Sequence, residues 1–152
     1  MNLTETDIKV LKLVQSGQSL SRQDMAEQAG MSASTLWRRI SELEQHGIIQ
    51  HRTALLDPIK VGVPICVLVS VNLTDHEVKT RTRFEDFVEA TPDIMECFSV
   101  TGGFDYVMIV RTRSVSDFEH FLMDKILGNK SVATASSQIS LRQLKYSTEI
   151  PL

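Results

Sequence analysis

The chain has 152 residues, of which 42% are hydrophobic and 23% charged, a composition that supports a buried core and excludes a disordered chain. Sixteen Lys and Arg residues against nineteen Asp and Glu residues give a net charge of -3, which excludes a protein that coats nucleic acid by bulk charge. The longest uncharged apolar run, Val61 to Leu73, is too short for a membrane helix and contains Pro64, so a bilayer span is excluded.

The first residues, Met-Asn-Leu-Thr-Glu-Thr-Asp, have neither the basic start nor the apolar stretch of a secretory signal. The two cysteines, Cys66 and Cys97, form no CxxC motif and have no nearby pair of histidines. We therefore expect a reduced, cytoplasmic protein without a metal or another cofactor.

Before Asp57-Pro58, apolar residues recur at helical spacing. Three helices are predicted, from Thr4 to Gly17, from Ser21 to Gly30 and from Ser32 to about His46. The first two begin with Thr or Ser followed three residues later by Asp, a variant of the capping box. The stripe predicted to be buried on the first helix consists of Ile8, Val10, Leu11 and Val14. Three short helices in this order predict a helix-turn-helix domain.

The third helix is the candidate recognition helix. On a helical wheel, Leu36, Ile40 and Leu43 share a narrow sector that is predicted to face the other two helices. The opposite face is polar, and such side chains can bind base edges and phosphates in a major groove. The candidate DNA-binding residues are Ser32, Ser34, Thr35, Trp37, Arg38, Arg39 and Ser41.

Alternatives stay open for this helix. The polar face is also typical of an ordinary solvated helix. Trp37 is expected to be exposed, which indicates a binding partner, although packing at the helix margin is the alternative. Arg39 lies closest to the core side, so a phosphate contact or an internal ion pair suits it better than base reading.

Neither half of the chain is basic. Residues 1–57 carry six basic and seven acidic side chains, and residues 58–152 carry ten and twelve. A single subunit is therefore expected to bind DNA weakly, and useful affinity requires several heads joined in one assembly. If the helix-turn-helix prediction is right, the charge balance predicts a homo-oligomer.

Beyond an extended connector, β-branched runs alternate with helical stretches. The predicted elements are a strand at 64–73, a helix at 76–90, strands at 94–101 and 104–112, a helix at 117–127 and a strand at 133–146. This βαββαβ order is that of a ferredoxin-like domain. The fold class is α+β, with a winged-type helix-turn-helix domain at 1–47, a linker strand at 48–60 and the ferredoxin-like domain at 61–152.

One face of the predicted sheet is core. The first strand places Ile65, Val67, Val69, Val71 and Leu73 on one side and Cys66, Leu68, Ser70 and Asn72 on the other. Both helices are predicted to cover the first side, through Val78, Phe84, Phe87 and Val88 and through Phe118, Leu122 and Ile126, the second helix beginning with a capping box of Ser116 and Glu119. The other side is left open, and a partner subunit is its expected cover.

The run Gly30-Met31-Ser32-Ala33-Ser34-Thr35-Leu36-Trp37-Arg38-Arg39-Ile40, followed by Leu43-Glu44, Gly47-Ile48-Ile49 and Ala54-Leu55-Leu56-Asp57-Pro58, resembles the Lrp/AsnC (feast/famine) transcriptional regulators. The stretch from Val100 to Tyr106 is similar to the family's effector loop, and Leu144 to Leu152 is similar to its C-terminal ending. The resemblance covers essentially the whole chain.

The resemblance implies a DNA-binding head, a linker strand that pairs with its mate in a dimer, and a ferredoxin-like domain that assembles dimers or octamers. It also implies an amino-acid effector bound where C-terminal domains meet. Carried over to this chain, the effector-binding residues are Thr101, Gly102, Gly103, Phe104, Asp105, Thr134, Ser136 and Ser137.

The chemistry of the loop fits such a ligand. Two glycines leave backbone N–H and C=O groups open to close approach, and Asp105 can hold an ammonium group. The alternative is a tight hairpin in which the glycines only supply positive φ and Asp105 caps the turn.

An enzyme is not expected. The reactive side chains available are Asp105, His120, Ser136 and Cys97, but no G-x-S-x-G, H-E-x-x-H or phosphate-binding glycine loop accompanies them. The sequence therefore predicts a sequence-specific DNA-binding regulator that responds to an amino acid or a related small molecule. The alternative is a nucleoid-organising DNA-binding protein without an effector.

Overall fold

The computed structural model describes residues 2–16 and 20–152, which fall into two compact units. The first unit comprises the chain as far as Ala54 together with Leu144–Leu152, and the second comprises Leu55–Gln143. The grouping of Leu144–Leu152 with the first unit differs from the predicted domain boundaries.

Three helices form the first unit: α1 (Glu5–Gln15), α2 (Arg22–Ala29) and α3 (Ala33–Gln45). Both predicted capping boxes are present, with Thr4 and Ser21 as the caps. Gly30 ends α2 in the left-handed conformation, with φ of 70°, as a helix-terminating glycine does. Gly17, which was predicted to end the first helix, lies outside the described residues.

The core of this unit follows the predicted helical faces. The buried apolar side chains are Val10 and Leu11 of α1, Ala26 of α2, Leu36, Ile40 and Leu43 of α3, and Ile49. Ile8 and Val14, which were predicted to be buried, are only partly buried. The helix-turn-helix prediction is confirmed.

The tail Leu144–Leu152 has no regular secondary structure, but it is hydrogen-bonded to α1. The Gln15 side-chain amide donates to the carbonyl of Ile150 at 2.8 Å, and the Ile150 N–H donates back to Gln15 Oε1 at 3.0 Å. This pairing explains why the tail belongs to the first unit. The predicted last strand, 133–146, is accordingly too long.

The predicted linker strand does not form within one chain. Residues 46–64 are all described, and none of them is in a strand; 58–62 form turns. A strand needs a neighbour to satisfy its backbone hydrogen-bonding groups, and a single subunit supplies none here. Pairing of this segment with a second subunit stays a prediction.

The second unit has the predicted βαββαβ order. Its elements are β1 (Ile65–Leu73), α4 (Val78–Glu89), β2 (Ile94–Ser99), β3 (Tyr106–Thr112), α5 (Val115–His120), a π-helical segment (Phe121–Ile126) and β4 (Val132–Ile139). The four strands pair antiparallel in the order β2-β3-β1-β4. This is the ferredoxin-like arrangement, so the predicted α+β fold is confirmed.

Two details of the predicted helices are wrong. The cap of α5 is Ser114, whose hydroxyl accepts the Asp117 N–H at 3.0 Å, rather than Ser116. Val78, predicted to be core, is 69% exposed because it is the first residue of α4 and precedes the buried turn.

The two faces of the sheet differ as predicted. Val67, Val69 and Val71 of β1 are fully buried beneath the helices. The opposite face, called the open face below, carries Leu68, which is 39% exposed, and Phe98, which is 53% exposed. Strand register also places Val107 and Ile109 on the open face, opposite Ser70 and Leu68 of β1.

Candidate nucleic-acid interface and effector loop

The outward face of α3 is available for nucleic acid. Ser34, Arg38 and Ser41 are exposed and follow one another at helical spacing. The Arg38 side chain is 73% exposed, and its contact with Glu42 is loose, at 3.8 Å. An exposed pair of this kind contributes little to stability, so the Arg38 guanidinium is free to exchange it for a base or a phosphate.

Three hydroxyl groups gather at the N-terminus of α3. The Ser32 Oγ accepts the Thr35 N–H at 3.2 Å, and it lies 3.0 Å from Ser34 Oγ and 2.8 Å from Thr35 Oγ1. All three residues are exposed. The helix terminus thus presents a compact set of donors and acceptors of the kind that contacts phosphate and base edges.

Arg39 is used inside the head. Its Nε donates to Asp7 Oδ1 at 2.5 Å and its Nη2 to Asp7 Oδ2 at 3.0 Å, while Nη1 donates to Glu42 at 2.8 Å. Of the two alternatives for Arg39, the structure contains the internal ion pair. Asp7 had been recognised only as a capping residue, because no local pattern shows that two positions 32 residues apart will meet.

The Asp7 carboxylate is fully buried. Burial raises the pKa of this carboxyl, but the hydrogen bonds from the Thr4 hydroxyl and N–H and from Arg39 outweigh it and hold the pKa below its usual value. Asp7 is therefore ionised at neutral pH and acts as a charged anchor between α1 and α3.

Trp37 is partly buried, so the expectation of an exposed ring is wrong. Its ring centroid lies 4.5 Å from the Arg22 guanidinium carbon and 5.2 Å from that of Arg52. The structure thus favours packing at the helix margin. Arg22 and Arg52 were not among the residues predicted from the sequence. The position of Arg22 directly after the cap of α2 was the one local feature that could have drawn attention to it.

The candidate effector loop is pinned to β1. Leu73 N–H donates to Asp105 Oδ2 at 2.8 Å, and Asp105 N–H donates both to the Val71 carbonyl at 3.0 Å and to Asn72 Oδ1 at 3.1 Å. The Asn72 amide in turn donates to the Gly103 carbonyl at 3.2 Å. One Asp105 oxygen is therefore bound to the backbone of β1 rather than to the hairpin turn itself, while Oδ1 lies 3.7 Å from His76 Nδ1.

The two glycines of the loop are not equivalent. Gly102 has φ of 121°, whereas Gly103 is not in the left-handed region. A Cβ at either position would meet no heavy atom within 4 Å, so the loop is open around both of them. Thr101 to Phe104 are all exposed.

The candidates on β4 do not all lie together. Thr134 and Ser136 pair with Asn72 and Ser70, which places them on the open face. Ser137 pairs with Val69, so its side chain lies on the opposite side of the sheet. The structure therefore separates Ser137 from the other effector candidates.

A cavity of about 280 Å³ adjoins the loop. Its lining residues are Leu73, His76, Arg81, Ser99, Val100, Asp105 and Tyr106. Only Asp105 among these was a candidate from the sequence. His76 and Arg81 were missed because they belong to the start of α4 and its preceding loop, for which local sequence gives no indication of proximity to the hairpin.

The partly buried Cys97 thiol and the buried Tyr106 hydroxyl are held protonated. Burial raises the pKa of the Cys97 thiol to about 11, and burial with the hydrogen bond to Glu85 raises the pKa of the Tyr106 hydroxyl to about 12. A thiol of that pKa is a poor nucleophile at neutral pH.

No helical segment within residues 2–16 and 20–152 combines the length and the apolar composition that a membrane-spanning helix needs.

The chain combines two units: a helix-turn-helix head with an exposed polar helix face, and a ferredoxin-like unit with an open sheet face. This combination defines a class of protein that binds DNA through the first domain and assembles or senses a ligand through the second. The family model described as the Lrp/AsnC ligand binding domain matches residues 66–150, and that described as winged helix-turn-helix DNA-binding matches residues 3–50. The chain belongs to the Lrp/AsnC family of DNA-binding transcriptional regulators.

Relatives match along nearly the whole chain. The glutamate uptake regulatory protein of Zymomonas mobilis is 33% identical over 150 residues, which are 99% of this chain and 91% of that protein. A transcriptional regulator from Neisseria meningitidis, solved in complex with L-methionine, is 30% identical with a TM-score of 0.93 over 99% of this chain and 97% of the other. An AsnC family regulator from Agrobacterium tumefaciens is 32% identical with a TM-score of 0.91, over 98% and 97%.

Proposed function

We propose that the protein is a sequence-specific transcriptional regulator that binds double-stranded DNA through α3 and is controlled by an amino acid bound to its ferredoxin-like unit. The observation that carries the proposal is the exposed polar face of α3 with Arg38 extended from it. Side chains of this kind on a helix-turn-helix recognition helix read base edges in the major groove. Since its target is DNA, we place its action in the cytoplasm.

The proposed base and phosphate contacts come from Ser32, Ser34, Thr35, Arg38 and Ser41. Arg39 has a different role in this proposal because its guanidinium is engaged by Asp7 and Glu42. It fixes the recognition helix on α1 and so sets the direction of the contacting face.

The protein is further proposed to act as a homo-oligomer. The open face leaves Leu68 and Phe98 in solvent, and the connector exposes Leu55 and Leu56. An apolar sheet face of this kind is normally covered by another subunit. A C2 dimer would cover the open face and supply a mate for the unpaired linker, and an octamer would add the contacts between dimers.

The proposed effector is an amino acid or a close analogue. The Neisseria meningitidis relative was solved with L-methionine, and the Zymomonas mobilis relative is named a glutamate uptake regulatory protein. In this chain, the open loop Thr101 to Phe104, the Asp105 Oδ1 beside His76 and the Thr134 and Ser136 hydroxyls supply groups that suit an α-ammonium and an α-carboxylate. A nucleoid-organising protein without an effector stays the second candidate.

Two measurements test the proposal. Retardation of genomic fragments should show binding that random competitor DNA does not abolish, and a protein that retards no fragment at low ionic strength contradicts DNA binding. Calorimetry with the twenty amino acids should give saturable heat for at least one. If none of the amino acids gives binding heat although the protein binds specific DNA, the nucleoid-organising alternative is favoured. Sedimentation with and without the active amino acid then reports the assembly.

A further inference from the structure

Trp37 lies against two guanidinium groups that come from different elements. Arg22 is the first residue of α2, and Arg52 belongs to the connector after α3. Arg52 also donates to Glu44 Oε1 at 2.8 Å. Arg22 is exposed and forms no ion pair with a carboxylate of the described residues. The ring of Trp37 therefore holds the Arg22 guanidinium, by a cation–π contact, at the margin of the recognition helix.

An arginine held by an aromatic ring differs from a freely moving one. The guanidinium is attracted to the ring by a cation–π contact, and its N–H groups stay available for oxygen acceptors. Less side-chain entropy is lost when such a group binds phosphate, because its position is already restricted. Phosphate oxygens are also the acceptors that the fork of N–H groups binds best.

The position of Arg22 fits a phosphate contact. In a helix-turn-helix, the helix before the recognition helix crosses the DNA backbone, and α2 occupies that place here. Arg22 is the first residue of α2, beside the Ser21–Asp24 capping box that closes the N-terminus of that helix. Arg22 is the one basic residue of α2, so a phosphate contact of this helix through a cation would have to come from Arg22.

We propose that Trp37 is a positioning residue that holds Arg22, with Arg52 beside it, for contact with a DNA phosphate. Trp37 does not read a base in this arrangement. Its indole Nε1 is buried and has no hydrogen-bond partner among the described residues, and the ring packs against the apolar core of the head as well as against the two guanidinium groups. The inference rests on the proposed DNA-binding function and adds Arg22, Arg52 and Trp37 to it as a sequence-independent element.

The salt dependence of DNA affinity tests this inference. Each lost phosphate contact reduces the slope of log K against log salt by about one. Arg22→Gln should show that reduction, and Trp37→Leu should show it as well, although it removes no charge. Trp37→Phe keeps an aromatic face and should retain the wild-type slope. Lys79→Gln, an exposed residue on α4, is the control for a lost charge outside the head and should leave the slope unchanged.

Trp37 also provides a direct signal, because it is the single tryptophan of the chain. Saturation with duplex DNA should shield its fluorescence from iodide in the wild type and less so in Arg22→Gln. If the wild type binds DNA and Arg22→Gln and Trp37→Leu both keep the wild-type slope, the inference is wrong while the proposed function stands. If the wild type binds no duplex at low ionic strength, both are wrong. Far-UV circular dichroism of Trp37→Leu and Trp37→Phe establishes that the head is folded in both variants.

Discussion

Asp7 and Arg39 join the first helix of the head to its recognition helix by two parallel hydrogen bonds, of 2.5 and 3.0 Å. The carboxylate is fully buried, and the Arg39 side chain is 30% exposed. A bidentate pair fixes both the distance and the rotation between two helices. The orientation of the proposed DNA-binding face is therefore set by a contact inside the head.

Asp7→Asn should lower the free energy of unfolding of the head by about 2 kcal/mol, because it removes the charge that strengthens the hydrogen bonds from Arg39 and Thr4 to this buried side chain. Urea unfolding followed by Trp37 fluorescence measures this. Glu5→Gln, at an exposed position in the same first turn of α1, is the matched control and should change stability by less than about 0.5 kcal/mol. Equal effects of the two substitutions would contradict the anchoring role of Asp7.

The same pair predicts a pH dependence. The pKa of Asp7 in the folded head lies below its usual value of 3.8, so the folded state favours the ionised carboxylate. Its contribution to stability is fully present above that usual value and is lost as the pH falls through the lower folded pKa. Unfolding measured from pH 7 to pH 2 should show this loss in the wild type. In Asp7→Asn this part of the acid dependence should be missing.

Arg38→Ala should weaken operator binding by about 1 to 3 kcal/mol if Arg38 reads a base, and the loss should depend on the operator sequence. Fluorescence anisotropy on operator and random duplexes measures both parts. An equal loss on random DNA would indicate a phosphate contact instead. Arg83→Ala on α4 removes an exposed arginine from the other unit and should leave both affinities unchanged.

Gly102→Val should abolish the response to an amino-acid effector without unfolding the head. A β-branched residue is strongly disfavoured at a φ of 121°, so the loop must change shape. Gly103→Ala is the control, since Gly103 has an ordinary φ and open space around it. Effector binding by calorimetry, together with DNA affinity, separates the two variants. An unchanged response in Gly102→Val would remove the loop from the effector site.

Val69→Asp should collapse the sheet of the second unit, because it buries a carboxylate with no cation to pair with it. Circular dichroism and thermal unfolding report the loss. Val78→Asp makes the same substitution at an exposed position and should leave the fold intact. A folded Val69→Asp with wild-type unfolding temperature would contradict the packing described for β1.

Local signals in the sequence predicted most of the fold. Thr4, Ser21 and Ser32 mark helix starts through short-range hydrogen bonds, and strict alternation along β1 identified its buried face. The errors lie where the structure depends on contacts between residues that are far apart in the chain. The last strand ends at Ile139, which pairs with Val67 near the start of β1, and the tail beyond it is bound through Ile150 to Gln15 of α1, 135 residues away in the chain.

The candidate site residues also divide into those that local sequence predicts and those that depend on distant contacts. The exposed face of α3 follows from helical spacing alone, so Ser34, Arg38 and Ser41 could be predicted. The pairing of Arg39 with Asp7 and the packing of Trp37 between Arg22 and Arg52 depend on how the helices assemble. Neighbouring residues of a strand point to opposite faces, so Ser136 and Ser137 cannot share a site, but only the strand register shows that Ser136 is the one on the open face.

Sequestration of Arg39 by Asp7 leaves Arg38 as the one outward cation of the recognition helix. Few counterions are released when such a surface meets an arbitrary stretch of chromosome, so random sites compete weakly for it. We expect a larger fraction of the cell's copies to stay unoccupied and available to search for operators than a strongly basic head would allow.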